Sequence, residues 1–159
     1  MSVSTLSADT TRIFRHLIAT IAYRSSRSLR DAPDSFESTK LPGESKSAAE
    51  LLLHMTNVLS FAIATVTHTE RVRHEPLPWK AEIDRFYSLL GELDTKLAEG
   101  VSLESGMDLK LVQGPLSDVL THIGQLHAMR RAAGSPIAAA NYIKAEIHIG
   151  YTSLMKQPD

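Results

Sequence analysis

Asp118 and His122 stand four residues apart in the stretch GPLSDVLTHIGQLHAMRRAAGSP, residues 114–136. On a helix that spacing puts a carboxylate and an imidazole one turn apart on one face, within reach of a shared cation. His127 lies five residues beyond His122, a rotation of roughly 140°, so it does not share that site. A further histidine, His54, sits in LLLHMTNVLSFA (residues 51–62), on the line Leu51–Val58–Phe61 of an apolar helix face that should point it inward. Plainer readings stand beside these. An Asp–His pair at helical spacing commonly forms a surface hydrogen bond. A carboxylate in a first helical turn also favours the helix dipole with no ligand present. A lone histidine on an apolar face is commonly a buried, hydrogen-bonded one.

The elements that must position these residues can be read from punctuation and period. Ser7 or Asp9 can cap a first helix, with Ile13, Leu17, Ile18, Ile21 and Ala22 recurring at helical spacing up to about Leu29. Residues 1–7 are expected to be poorly ordered. Residues 31–46, DAPDSFESTKLPGESK, read as a loop. It exceeds the roughly 2–8 residues that usually join helices, and long connections in compact domains are often lids or binding loops. Residues 45–67 form the most apolar segment, with Leu52, Met55, Leu59 and Ala62 widening the Leu51–Val58–Phe61 line. EPLPW (residues 75–79) breaks the chain. A third helix runs over residues 79–98, with Ile83, Phe86, Leu90, Leu93 and Leu97 on one face and Gly100 as its stop.

Residues 100–113 have weak periodicity and read as a second long connection. Pro115 then suits a first helical turn, where its missing N–H has no intrahelical partner to lose. Gly134 and Pro136 close that fourth helix, with Arg130 and Arg131 at its negative end. Its apolar stripe, Leu116, Val119, Leu120, Ile123 and Leu126, is centred roughly 110° from the Asp118–His122 edge, so the pair lies beside the hydrophobic seam. IKAEIHIGY (residues 143–151) alternates like a strand but has no partner strand, so an extended tail packed on the helices, or a short helix, is expected. The pattern predicts an all-α chain, a four-helix bundle spanning residues 1–159 as a single domain. Such bundles build metal sites from inward side chains on facing helices.

Composition narrows the chemistry. The 159 residues are 43% hydrophobic and contain no cysteine, which excludes disulfides, thiolate catalysis and Cys-ligated zinc. Any metal must be held by His, Asp, Glu, backbone or water. A formal net charge of −1 argues against a broad nucleic-acid or membrane surface. The first residues lack a basic start followed by an apolar core, and no uninterrupted apolar run approaches the ~20 residues of a membrane span, so a cytoplasmic protein is expected.

The segments LLLHMTNVLSFA and QGPLSDVLTHIGQLHAMRRAAGSP, with the following Asn141–Tyr142, resemble the DinB/YfiT-like superfamily. The piece from His122 to Pro136 is the most specific part, and the resemblance covers nearly the whole chain. It implies a four-helix bundle, a homodimer, and a three-histidine metal site with one ligand on the second helix and two at i and i+4 on the fourth. Residue by residue, His54 matches the second-helix ligand and His122 the last one. The remaining position is Asp118, a departure from the family pattern. The resemblance thus implies a metal site of His54, Asp118 and His122. Two histidines and one carboxylate suit divalent Ni, Zn, Fe or Mn. The carboxylate lowers the charge of the centre and weakens its acidifying effect on coordinated water.

Two functions follow from the resemblance. One is a metal-dependent hydrolase, or a thiol S-transferase with a low-molecular-weight thiol as cofactor, acting on a small molecule. The other is a non-catalytic, dimeric binding or stress-response module in which Asp118 marks a degenerate site. Other polar residues take lesser roles. His127 falls near the apolar seam and is expected to hydrogen-bond in the core or at a dimer interface. His16 and Tyr23 are either structural or line the bundle interior. Arg130 and Arg131 complete a helix end or bind an anion. Gly124 and Gln125 fit tight packing near the site, and Trp79 anchors the start of its helix.

Overall fold

The computed structural model describes residues 2–43 and 46–154. Its first helix, α1 (Ala8–Leu29), is started by Ser7, whose hydroxyl accepts from the Thr10 amide at 3.1 Å. The buried stripe of α1 runs through Phe14, Ile18, Ile21, Ala22 and Leu29. Ile13, expected in that stripe, is 59% exposed; Phe14, one position on, takes its place. Ahead of α1 the chain takes up a regular element that no local pattern marked. Val3–Thr5 forms a strand, β1, antiparallel to Ser102–Glu104, β2, with Val3 opposite Glu104. A Thr5–Ser102 hydroxyl contact and the Leu6 amide donating to the Val101 carbonyl extend the pairing.

Helix α2 (Ala48–Thr67) begins with a capping box: Ser47 accepts from the Glu50 amide, and Glu50 accepts in return from the Ser47 amide at 2.7 Å. Its most apolar window satisfies the length and composition of a membrane span, yet 61% of that window is buried inside the fold. Helix α3 (Trp79–Glu99) buries Ile83, Phe86, Leu90, Leu93 and Leu97 as its period predicts, and stops at Gly100, whose φ of 96° suits glycine.

The connection over residues 100–113 is not structureless. After β2, Gly106 turns the chain into a short helix, α4 (Met107–Leu111), and Leu103 and Leu111 are buried beneath it. The fourth long helix therefore does not open at Pro115. The backbone winds from α4 through a widened π turn, Val112–Leu116, and continues as α5 (Ser117–Ala132). Pro115 lies inside that turn. In a regular helix its ring would press on the carbonyl four residues back, and a π turn is where such strain is accommodated. Ser117 donates its hydroxyl to the Val112 carbonyl at 2.6 Å, satisfying an acceptor there. At the far end Ser135 bonds back to the Arg130 carbonyl and Gly134 to the Arg131 carbonyl, with Gly134 at φ 73°, a Schellman stop.

The molecule is mostly helical, with four long helices of 22, 20, 21 and 16 residues, the short α4 and one small sheet among the described residues. Helices α1 and α2 each pack on both α3 and α5. Polar ties cross the core: Arg15 grips Asp94 with two bonds of 2.9 Å, and Tyr87 contacts the Ser25 hydroxyl at 2.9 Å. Burial pushes the Tyr87 hydroxyl up to about 12, despite the opposing Ser25 and Ser26 bonds. In the long loop a 3₁₀ turn, Asp34–Ser38, sinks Phe36 completely into the core. The alternating segment 143–151 forms no strand, and Ile143 is 95% exposed. With no neighbouring edge to pair with, alternation alone cannot satisfy its backbone. The tail instead lies on the helices, where Tyr142 meets Tyr23 edge-on and Thr152 rests against Gly91.

Candidate metal centre

The packing of α2 on α5 brings His54 against Asp118 and His122. His54 sits in the second turn of α2, on the edge between its buried and open faces, and its Nε2 lies 3.2 Å from Asp118 Oδ2. One turn along α5, His122 Nε2 approaches the other carboxylate oxygen at 3.4 Å. The two imidazoles stand nearly perpendicular, 86° apart, with centroids 4.8 Å apart. One ligand atom from each residue falls within 4.8 Å of the other two, so the group can hold a metal ion.

The hydrogen bonds around this group define its chemistry. His122 Nδ1 lies 2.6 Å from Gln125 Oε1. A carbonyl oxygen only accepts, so with the amide oriented this way Nδ1 carries a hydrogen, and in the neutral ring Nε2 holds the lone pair. That Nε2 is buried and has no hydrogen-bond partner; its approach to Asp118 lacks hydrogen-bond geometry. A buried lone pair facing a carboxylate is unfavourable unless a proton or a metal ion lies between them. Two ligands bound at ~2.1 Å to a tetrahedral or octahedral ion stand about 3.0–3.4 Å apart. The 3.2 Å from His54 Nε2 to Asp118 Oδ2 falls in that interval, and the 3.4 Å from His122 Nε2 to Asp118 Oδ1 lies at its upper edge, each histidine facing a different carboxylate oxygen. A metal-binding histidine whose second nitrogen donates to an oxygen acceptor is the usual arrangement.

The centre opens onto a cleft of about 550 Å³, walled by Val58, Phe61 and Arg71 on one side and by Gly114, Pro115 and Thr121 on the other. His54 and Asp118 line it. A cavity of about 630 Å³ lies elsewhere, between α2 and α3, and touches none of the three residues.

The remaining polar residues sort themselves around this site. His127 points away from it, to the Arg24 carbonyl of α1 at 3.1 Å, and is half-buried. His16 is exposed and lines no interior, whereas Tyr23 is buried. Arg130 is buried at a helix end, donating to the carbonyls of Ser28, Arg30 and Ser135, while Arg131 is exposed. Trp79 packs edge-on against Phe36 at the start of α3. Gly124 corrects its expected role: it is exposed, and an added Cβ would meet nothing within 4 Å. Gln125 has a sharper role than packing, as the partner of His122. Arg71 lies between the apolar segment 45–67 and the break at 75–79, where no periodic signal marked it. It reaches the cleft because the segment after α2 folds back, with Asn57 bonding both the amide and carbonyl of His74. No protein-family model matches the sequence, and neither the curated proteins nor the solved structures contain a significant match.

Proposed function

We propose that this chain is a DinB-like four-helix bundle in which His54, Asp118 and His122 hold one divalent ion, serving a metal-dependent hydrolase or thiol S-transferase. The observation that carries the reading is the buried, unpartnered Nε2 of His122 facing Asp118. The packing of α1 and α2 each on α3 and α5 supports the bundle. Two imidazoles and one carboxylate suit Ni, Zn, Fe or Mn, and leave positions free for water or substrate. A bound divalent ion would supply Lewis acidity, lowering the pKa of water or of a low-molecular-weight thiol. The chain's own part is to orient the ligands: Gln125 holds the His122 tautomer, and the cleft beside His54 admits a small molecule. The reading carries with it a cytoplasmic homodimer.

The 3.2 Å hydrogen bond between His54 and Asp118 favours a second reading. There the pair closes on itself, and the protein is a non-catalytic binding module with a degenerate site. Elemental analysis of untagged protein separates the two. About one metal per chain, lost in both Asp118→Ala and His122→Ala, is expected from the first reading. No metal after supplementation with each of the four ions would sink it.

A further inference from the structure

His54, Val58 and Phe61 climb one face of α2 away from the metal centre, at i, i+4 and i+7, and all three line the open cleft. Phe61 is 44% exposed, on a helix whose Leu51, Leu52, Met55 and Leu59 are all buried. A bare aromatic face within a cleft is surface that an apolar ligand would remove from water. Over this face stands Arg71, its guanidinium 5.9 Å from the Phe61 ring centre. Arg71 is fixed there by the returning segment: Asn57 holds His74, and the Ser60 hydroxyl donates to the Val72 carbonyl at 2.6 Å. Its bond to the Asn57 carbonyl, 3.2 Å, uses one of its N–H donors, and no carboxylate pairs with it among the described residues.

We infer that this cleft binds an amphipathic carboxylate, its anionic group paired with Arg71, its apolar stem on Val58 and Phe61, and a polar reacting group at the far end presented to His54 and Asp118. A single arginine fits the two oxygens of a monoanionic carboxylate, whereas a phosphate dianion is usually met by more than one cation. The length follows from the helix. A rise of ~1.5 Å per residue sets Phe61 about 10 Å from His54 along α2, so the anion and the reacting group are about that far apart. The ligand is therefore a medium-chain aliphatic or aryl-alkyl acid. The Arg71 end stands on this chain's side chains alone. The reacting end rests on the metal reading proposed above.

The test is calorimetric titration of the full chain, first treated with a chelator, with octanoate, octanol and octylammonium. Octanoate is expected to bind more tightly than octanol, and octylammonium not at all. Both Arg71→Ala and Arg71→Gln should weaken octanoate about fivefold or more and leave octanol unchanged. Phe61→Ser should weaken both. These positions are exposed, and an unchanged melting temperature verifies that each variant folds. Equal binding of octanoate and octylammonium, or octanoate binding indifferent to both Arg71 variants, overturns the anion site. The span is tested separately on metal-loaded protein with dicarboxylates from adipate to dodecanedioate. Metal should raise affinity most for suberate and azelate, and a steady rise with length overturns the span. If the protein takes up no metal, the metal reading fails while the octanoate series still decides the Arg71 site.

Discussion

His122 and Gln125 are joined ring nitrogen to amide oxygen at 2.6 Å, three residues apart on α5. The bond commits His122 to presenting Nε2 toward Asp118, and it also fixes the ring plane. Outer partners of this kind typically contribute about 10–100-fold in metal affinity. Gln125→Ala is therefore expected to weaken metal binding by that order, measured by competition with a chromogenic chelator. Gln125→Glu keeps an acceptor at the same reach and should retain affinity near that of the parent chain. Unaltered affinity in Gln125→Ala would mean that this bond gives no support to metal binding at His122.

His127 lends the fold a pH dependence. Burial pushes its pKa below the ordinary 6.5; its bond to the Arg24 carbonyl opposes this, and Arg27, Arg24 and Arg131 add to the depression. His74 is lowered too, by burial and then by Arg85, against Glu82 and Glu92. A group depressed in the folded state binds more protons when unfolded, so stability rises with pH across its range. Stability should be full above 6.5, fall as pH drops through 6.5, and level off below the depressed folded values. Urea midpoints across that window should show the slope, and His127→Gln, which keeps a donor for the Arg24 carbonyl, should flatten it. A slope unchanged in that variant assigns the dependence to other groups.

Arg130 is 5% exposed and ties the end of α5 to the end of α1, through the carbonyls of Ser28 and Arg30 at 2.8 and 3.0 Å. It also holds the Ser135 carbonyl and hydroxyl at 2.9 Å each. A lysine has no planar fork with which to reach both sets. Arg130→Lys is expected to cost about 1–3 kcal/mol and Arg130→Ala about 2–4 kcal/mol in chemical denaturation, because the buried Ser28 carbonyl and the part-buried carbonyls of Arg30 and Ser135 lose their donor. Arg131→Ala, at an exposed position, should stay within about 0.5 kcal/mol of the parent. Equal costs at the two arginines would contradict the clamp.

What could be read from the chain depended on whether the deciding interaction was local. The Ser7 start of α1, the face of α3 and its Gly100 stop are set by neighbours within a few residues, and these were legible. The four-residue spacing of Asp118 and His122 likewise gave their shared edge. That His54 meets them depends on α2 packing on α5, which no local period carries; the resemblance suggested it. The β1–β2 pairing joins Val3 to Glu104, residues far apart in the chain, so residues 2–7 offered no local sign of a strand. The helix start at Met107 was hidden by Pro115, which normally ends such a pattern and here is carried by a π turn. Arg71 depends on Asn57 and Ser60 folding the segment after α2 back upon it.

Phe36 decides whether the long loop after α1 is a lid or part of the core. Its ring is fully buried, 5.9 Å from Trp79, with the Arg130 guanidinium 5.7 Å from its centre. A loop anchored by a fully buried aromatic opens only by exposing it, which a lid cannot do at low cost. Phe36→Ala should cost about 3–5 kcal/mol of stability, as truncation of buried aromatics generally does. It should leave metal affinity unchanged at temperatures where the variant stays folded, because Phe36 lines neither the centre nor its cleft. Urea denaturation and a metal titration on the same preparation check both halves. A small stability loss accompanied by altered ligand access would restore the lid, and a large loss with intact metal binding would assign the loop to the core.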